Sequence, residues 1–230
     1  MKYNIGIIGN GFVGSAVTFG FGLHANIRIY DKNPNKSTHS LSEVVNLSDF
    51  VFVSVPTPMN KEKNGVMDTR IIDSVFDEVM RVDEKRFGLA RDSIFIVKST
   101  IIPGTMEGLI DRYPQLNIIH SPEFLTERSA RLDFINSSRI ILGGEKSLTE
   151  KTSKLFRTRF PFVKIIETDV STAQFIKYMA NCFFATKVSF MNEMKQAANK
   201  LNIDWNETMN GFVSDGRVGN SHLDVPGHDG

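Results

Sequence analysis

The 230 residues are 41% hydrophobic and 23% charged, enough apolar material for a sizeable core, which excludes a disordered or fibrous chain. A net charge of +1 gives no electrostatic reason to expect nucleic acid or an anionic membrane as partner, so a small polar metabolite is the default ligand. The single cysteine, Cys182, allows no internal disulfide and suits a reducing cytoplasm.

The apolar start, Ile5 to Ile8, breaks into Gly9 and Gly11 and reads as a strand rather than a targeting peptide; no later run approaches the length of a membrane span. Short apolar, β-branched runs recur at Ile27 to Tyr30, Phe50 to Val55, Ile94 to Lys98, Leu116 to His120 and Ile140 to Leu142, with helix-compatible stretches between them. Runs apolar throughout suit parallel strands buried on both faces, hence a doubly wound α/β domain over residues 1–168. Met59 to Asp68 is polar and reads as a surface loop. From about Ser171 to Leu201 apolar residues recur at helical spacing without proline or glycine, which predicts one long helix; a shorter helix over about Asp204 to Phe212 follows, then a glycine-rich tail. Residues 169–230 are therefore expected to be a central helix and the start of a small helical domain.

Gly9-Asn10-Gly11-Phe12-Val13-Gly14 follows the first strand at once and precedes the helix-compatible run Ser15 to Gly22, which is the context a dinucleotide-binding glycine loop requires. Gly9 permits the tight turn, Gly11 lets backbone N–H groups approach a pyrophosphate, and Gly14 allows close packing of helix on strand. The second strand ends at Asp31, whose carboxylate can accept hydrogen bonds from an adenosine ribose and would repel a 2′-phosphate. NAD is thus favoured over NADP, although Lys32 and Lys36 lie close enough in sequence to soften that preference. Later strands end in Val55-Pro56-Thr57-Pro58, in Ser99-Thr100-Ile101-Ile102-Pro103-Gly104-Thr105 and in Ser121-Pro122-Glu123-Phe124-Leu125-Thr126-Glu127, where doubly wound folds place their ligands. On the long helix Lys177 and Asn181 stand four apart and share a face. Neither a metal-ligand cluster nor an internal repeat is evident.

Together with Asp215-Gly216-Arg217-Val218-Gly219 and Pro226-Gly227, these motifs in this order resemble the UDP-glucose/GDP-mannose dehydrogenase family through essentially the whole chain. Two departures are small: Ser129-Ala130 after Arg128, and Val218 in place of isoleucine. The large one is that the family's cysteine motif and C-terminal nucleotide-binding domain are absent from these 230 residues.

The resemblance implies a Rossmann-like domain and NAD-dependent oxidation of the hydroxymethyl group of a nucleotide sugar to a carboxylate. UDP-glucose is the first choice of substrate and GDP-mannose the second, with a non-catalytic NAD-binding or dimerisation module as the alternative; without the cysteine motif the 230-residue chain itself is expected to be inactive. The resemblance also implies roles by position. Glu123 activates or relays protons to water, Thr100 orients that water or the reacting hydroxyl, Lys177 places a cation beside a developing alkoxide, and Asn181 supplies a neutral donor. Gly9, Asn10, Gly11, Phe12, Val13, Gly14, Asp31, Lys32, Lys36, Val55, Pro56, Thr57, Ser99, Thr100 and Glu127 would hold NAD. Phe124, Leu125 and Glu127, with Glu123, Lys177 and Asn181, would meet the sugar, joined by Arg217, Asn220, His222 and Leu223 from the tail. The central helix would form a homodimer seam. Cys182, turned about 100° from the Lys177–Asn181 line and flanked by phenylalanines, is expected to be a buried structural cysteine rather than the nucleophile.

Overall fold

The computed structural model describes residues 2–60, 66–84 and 92–226. Two compact units make up the chain, Met1–Lys177 and Tyr178–Gly230.

The first unit is built on a seven-stranded sheet of β1 (Tyr3–Ile8), β2 (Ala25–Tyr30), β3 (Phe50–Val53), β6 (Ile94–Val97), β7 (Asn117–His120), β8 (Arg139–Gly143) and β9 (Lys164–Thr168), in the order β2-β1-β3-β6-β7-β8-β9. Phe-Val-Phe-Val in β3 and Ile-Phe-Ile-Val in β6 are buried at every position, because side chains that alternate across the pleat meet helices on both faces. On one face Ile5, Ile7, Phe52, Ile96 and Ile119 pack with Phe21, Phe134, Phe156 and Phe160 of α1 (Phe12–Phe21), α5 (Ala130–Ile135), α6 (Lys146–Arg159) and its end. On the other, Val51, Val53, Phe95 and Ile118 pack with Val44, Phe76, Met106 and Leu109 of α2 (Leu41–Asn46), α3 (Arg70–Glu84) and α4 (Thr105–Arg112). α2 opens on a capping box in which Ser40 and Glu43 satisfy each other's backbone N–H groups.

The expected strands are all present, with shifts of a residue or two at their ends. Three features differ from the sequence reading. β8 runs antiparallel to β7, touching it only where His120 faces Gly143, since the chain returns from the carboxyl edge of the sheet through α5. β9, half-exposed at the sheet edge, had no apolar run to announce it. The segment read as a surface loop contains an antiparallel pair, β4 (Met59–Asn60) and β5 (Val66–Met67); its Lys-Glu-Lys-Asn-Gly stretch, 61–65, lies outside the described residues.

The long helix α7 spans Val170–Lys200, and α8, Trp205–Val213, begins where the Asp204 side chain accepts from the Glu207 N–H at 2.8 Å. Within the second unit Lys187 Nζ donates to the carbonyls of Gly219 (2.8 Å) and Ser221 (2.5 Å), and Lys195 Nζ to that of Val225 (2.8 Å). The tail is thereby strapped to the helix by two lysines two turns apart. Cys182 is exposed, contrary to the expectation of a buried cysteine: it lies on a face of α7 that also leaves Tyr178, Met179 and Phe183 exposed. Residues 227–230, including Gly227 of the expected tail loop, lie outside the described residues.

Candidate active site

The crevice opens at the carboxyl edge of the sheet, where β1 feeds α1 and the chain order reverses between β2 and β3. Successive strand ends are stitched together there. The Gly9 N–H donates to Tyr30, Ser54 to Ile8, Lys98 to Val53 and Ser121 to Val97, each to a carbonyl 2.8–2.9 Å away. The connecting loops thus start from one rigid ledge.

The glycine loop is set by three different constraints. Gly9 holds a φ of +90°, and a Cβ there would lie 2.4 Å from the Ser54 carbonyl oxygen. A Cβ on Gly14 would lie 2.0 Å from the Gly9 oxygen. Gly11 has an ordinary φ of −78°, and a Cβ on it would meet no protein atom within 4 Å. Neither backbone nor packing demands glycine at that position, and the missing side chain leaves the backbone open to approach. The start of α1 carries no side-chain cap and no acidic residue in its first turn, leaving its N–H groups and dipole directed at that approach. Phe12 is exposed and Val13 half-buried beside it. Asp31 is fixed against the loop, accepting from the Asn10 N–H at 2.6 Å and the Asn33 N–H at 2.8 Å, while Asn10 Nδ2 donates to the Lys36 carbonyl at 2.9 Å. Lys32 and Lys36 are exposed on the same turn. These groups suit a dinucleotide: a backbone bay for a pyrophosphate, with a carboxylate one strand over for a ribose.

The next two turns are tied to each other. Ser99 Oγ accepts from the Val55 N–H at 3.0 Å and donates to the Val55 carbonyl at 2.7 Å, and Thr57 Oγ1 donates to the Thr100 carbonyl at 2.5 Å. Pro56 stands exposed between them.

Beyond these turns lies a buried ionic cluster. Glu123 and Lys177 are paired at 2.9 Å with side chains only 9% and 8% exposed. Thr100 Oγ1 donates to the same Glu123 Oε1 at 3.4 Å, and the Leu125 N–H donates to Oε2 at 2.6 Å. Both carboxylate oxygens are therefore engaged, which is what a buried carboxylate needs. Two cations stand over the Phe124 ring, Arg139 at 4.2 Å and Lys177 at 5.4 Å from its centroid. Glu127 is exposed one turn on, opening a short 3₁₀ segment. Behind this loop a cavity of about 240 Å³ is lined by Lys98, Glu123, Asn136 and Arg139 among others.

Two members of the cluster escaped the sequence reading. Lys98 is only 4% exposed, and its ammonium donates to the Ser121 carbonyl (2.8 Å), Ser121 Oγ (3.3 Å) and the Pro122 carbonyl (3.4 Å). Desolvation pulls it down to about 8, with Lys177 pulling the same way and the Glu123 carboxylate opposing. His120, 1% exposed, bonds Val97 O through Nδ1 at 3.1 Å; since a carbonyl only accepts, Nδ1 carries the proton. Its Nε2 has no partner, and burial, reinforced by Lys98, lowers the imidazole to about 3. The signal available was a lysine closing an otherwise apolar strand run.

The structure thus brings Thr100, Glu123 and Lys177 together. Asn181 follows Lys177 by one turn of α7 and is exposed. In the second unit Arg217 pairs with Asp215 at 2.5 Å, Asn220 is exposed, His222 stacks on Phe184 with ring centroids 4.1 Å apart, and Leu223 is buried.

Comparison with known proteins accords with this geometry. The NAD binding domain of the UDP-glucose/GDP-mannose dehydrogenase family matches residues 29–159, and the central domain of that family matches residues 171–228. A UDP-glucose 6-dehydrogenase of Rickettsia conorii is 30% identical over 200 residues, covering 85% of this chain and 44% of its own length. A UDP-glucose dehydrogenase from Pyrobaculum islandicum superposes with a TM-score of 0.82 at 25% identity, over 97% of this chain and 59% of that one. A GDP-mannose dehydrogenase from Pseudomonas aeruginosa shares the fold, with a TM-score of 0.79 at 23% identity over 93% of this chain and 57% of that one. The chain spans less than half the length of such curated relatives. Among the described residues no helix is long and apolar enough to cross a membrane.

Proposed function

Because the chain belongs to the UDP-glucose/GDP-mannose dehydrogenase family, we propose that it supplies the NAD site and the proton-handling residues of a cytoplasmic nucleotide-sugar dehydrogenase. Its substrate would be UDP-glucose, oxidised at the hydroxymethyl carbon to UDP-glucuronate. NAD, when bound, accepts the hydrides. The observation that carries this reading is the buried Glu123–Lys177 pair, 2.9 Å apart, at the carboxyl edge of the sheet that also presents the glycine loop.

In this reading Gly11 and the α1 N-terminus take the pyrophosphate, Asp31 the ribose, and Val55, Thr57, Ser99 and Glu127 the nicotinamide side. Lys177 places a fixed cation where an alkoxide or oxyanion develops, and its pairing with Glu123 keeps that charge oriented before substrate arrives. Glu123 takes protons from the hydroxyl or from water, Thr100 aligns the same oxygen, and Asn181 adds a neutral donor one turn further along α7. Phe124 and Leu125 line the sugar. Arg217, Asn220, His222 and Leu223 are assigned to the sugar nucleotide as well, and residues 169–230 to the dimerising part. Among the 230 residues the only cysteine is Cys182, whose side chain leaves α7 about 100° from the Lys177–Asn181 line. The family's thiol chemistry is therefore assigned to no residue of this chain.

The test separates cofactor from sugar. In the protein made from its native gene, Lys177→Ala should lower NADH formation from UDP-glucose by about 10²- to 10³-fold while NAD affinity stays within about twofold. A preference for GDP-mannose would move the substrate within the family, and loss of NAD binding in this variant would move Lys177 into the cofactor site. Sustained NADH formation by the 230-residue chain alone would contradict the assignment of its cysteine.

A further inference from the structure

Lys98 is placed where an apolar side chain would be far cheaper. It follows Ile94–Val97, a strand buried at every position, and its ammonium is taken out of water, which is unfavourable unless the charge is hydrogen-bonded. That cost is offset by three oxygens drawn from two consecutive residues, Ser121 and Pro122, which immediately precede Glu123. Ser121 is fully buried and its N–H is already anchored to the Val97 carbonyl. Lys98 therefore completes a clamp on the first half of the loop, and the second half is closed by the Glu123 carboxylate itself through the Leu125 N–H.

We propose that Lys98 is a positioning residue that holds the Ser121–Pro122 segment so that the Glu123 carboxylate stands between Lys177 and the Leu125 amide. The inference deepens the reading of Glu123 given above and rests on it. Removal of Lys98 leaves these three oxygens without its donor, and the peptide preceding Glu123 turns to find others. The carboxylate then loses its register with Leu125 before the sheet beneath is disturbed. The charged and titratable groups around Lys98 are Glu123 after β7, His120 at the end of β7 and Lys177 on α7, with Arg139 of β8 and Asp133 of α5 lining the same cavity.

The Leu125 amide is the readout, because a 2.6 Å bond to a carboxylate shifts its proton far downfield and protects it from exchange. In the 230-residue chain, Lys98→Met should move that resonance upfield and speed its exchange about tenfold, as Glu123→Gln also should, with the β6 amides still protected. A folded Lys98→Met variant with an unchanged Leu125 amide overturns the proposal. Should that variant not fold, Lys98→Gln, whose shorter neutral side chain cannot span all three oxygens, takes its place, and the Leu125 resonance should again move upfield. An unchanged Leu125 resonance in folded Lys98→Gln overturns the proposal as well. Neither measurement requires turnover, so failure here is distinct from failure of Glu123 as the catalytic carboxylate, which the oxidation assay reports.

Discussion

At Gly14 an added Cβ would fall 2.0 Å from the Gly9 carbonyl oxygen, a backbone atom that cannot rotate away, so the loop or the start of α1 has to shift. Gly14→Ala should therefore cost about 2 kcal/mol or more in urea unfolding, whereas Gly11→Ala, which meets nothing, should leave stability within about 0.5 kcal/mol. His120 makes a second prediction at this scale. Its folded value, about 3, lies below the ordinary 6.5, so the unfolded chain binds the proton more tightly between those values. Stability contributed by neutral His120 is full above about pH 6.5 and is lost progressively as pH falls towards 3. His120→Leu, which leaves the Val97 carbonyl paired with the Ser121 N–H, should flatten that acid slope in thermal unfolding.

The elements matter through what they hold rigid. α7 delivers Lys177 into a site where both it and Glu123 are buried, and removing one partner strands the other. Lys177→Met should destabilise the fold by about 3–5 kcal/mol. Adding Glu123→Gln should recover part of that loss, as a neutral pair needs no counter-charge; equal losses in the single and double variants would show that the ion pair is not the cause. The strands and helices that frame this site were legible because a both-faces-buried strand is apolar at every residue, as Phe50–Val53 and Ile94–Val97 are. The glycine loop, Glu123 and Lys177 were legible as ordered motifs. What escaped depends on long-range neighbours. β9 lies half-exposed at the sheet edge with only two adjacent isoleucines, β8 reverses because of the path through α5, and Lys98 and His120 reveal their burial only once β6 and β7 are side by side. Cys182 misled because flanking phenylalanines imply burial, yet the face they share on α7 is exposed.

At the scale of the molecule, that exposed face requires an occupant under the proposed function. Phe175, Tyr178, Met179, Phe183, Phe190 and Met194 are each 45–56% exposed or, for Phe183, 60%, an apolar stripe along a 31-residue helix. Burial against a second copy is the proposed arrangement. Sedimentation should show a concentration-dependent dimer, and Phe183→Asp should shift it to monomer without altering helical content; a monomeric wild type would contradict the dimer. The central claim is that the glycine loop is a cofactor site and that the Glu123–Lys177 cluster serves something else. Calorimetric titration of the 230-residue chain with NAD tests it most directly, using the wild type beside Gly11→Val and Lys177→Met. The account predicts saturable binding by the wild type, binding weakened about tenfold or more in Gly11→Val at an unchanged unfolding temperature, and near-native affinity in Lys177→Met. Absence of NAD binding by the folded wild type, or equal binding by Gly11→Val, would contradict it.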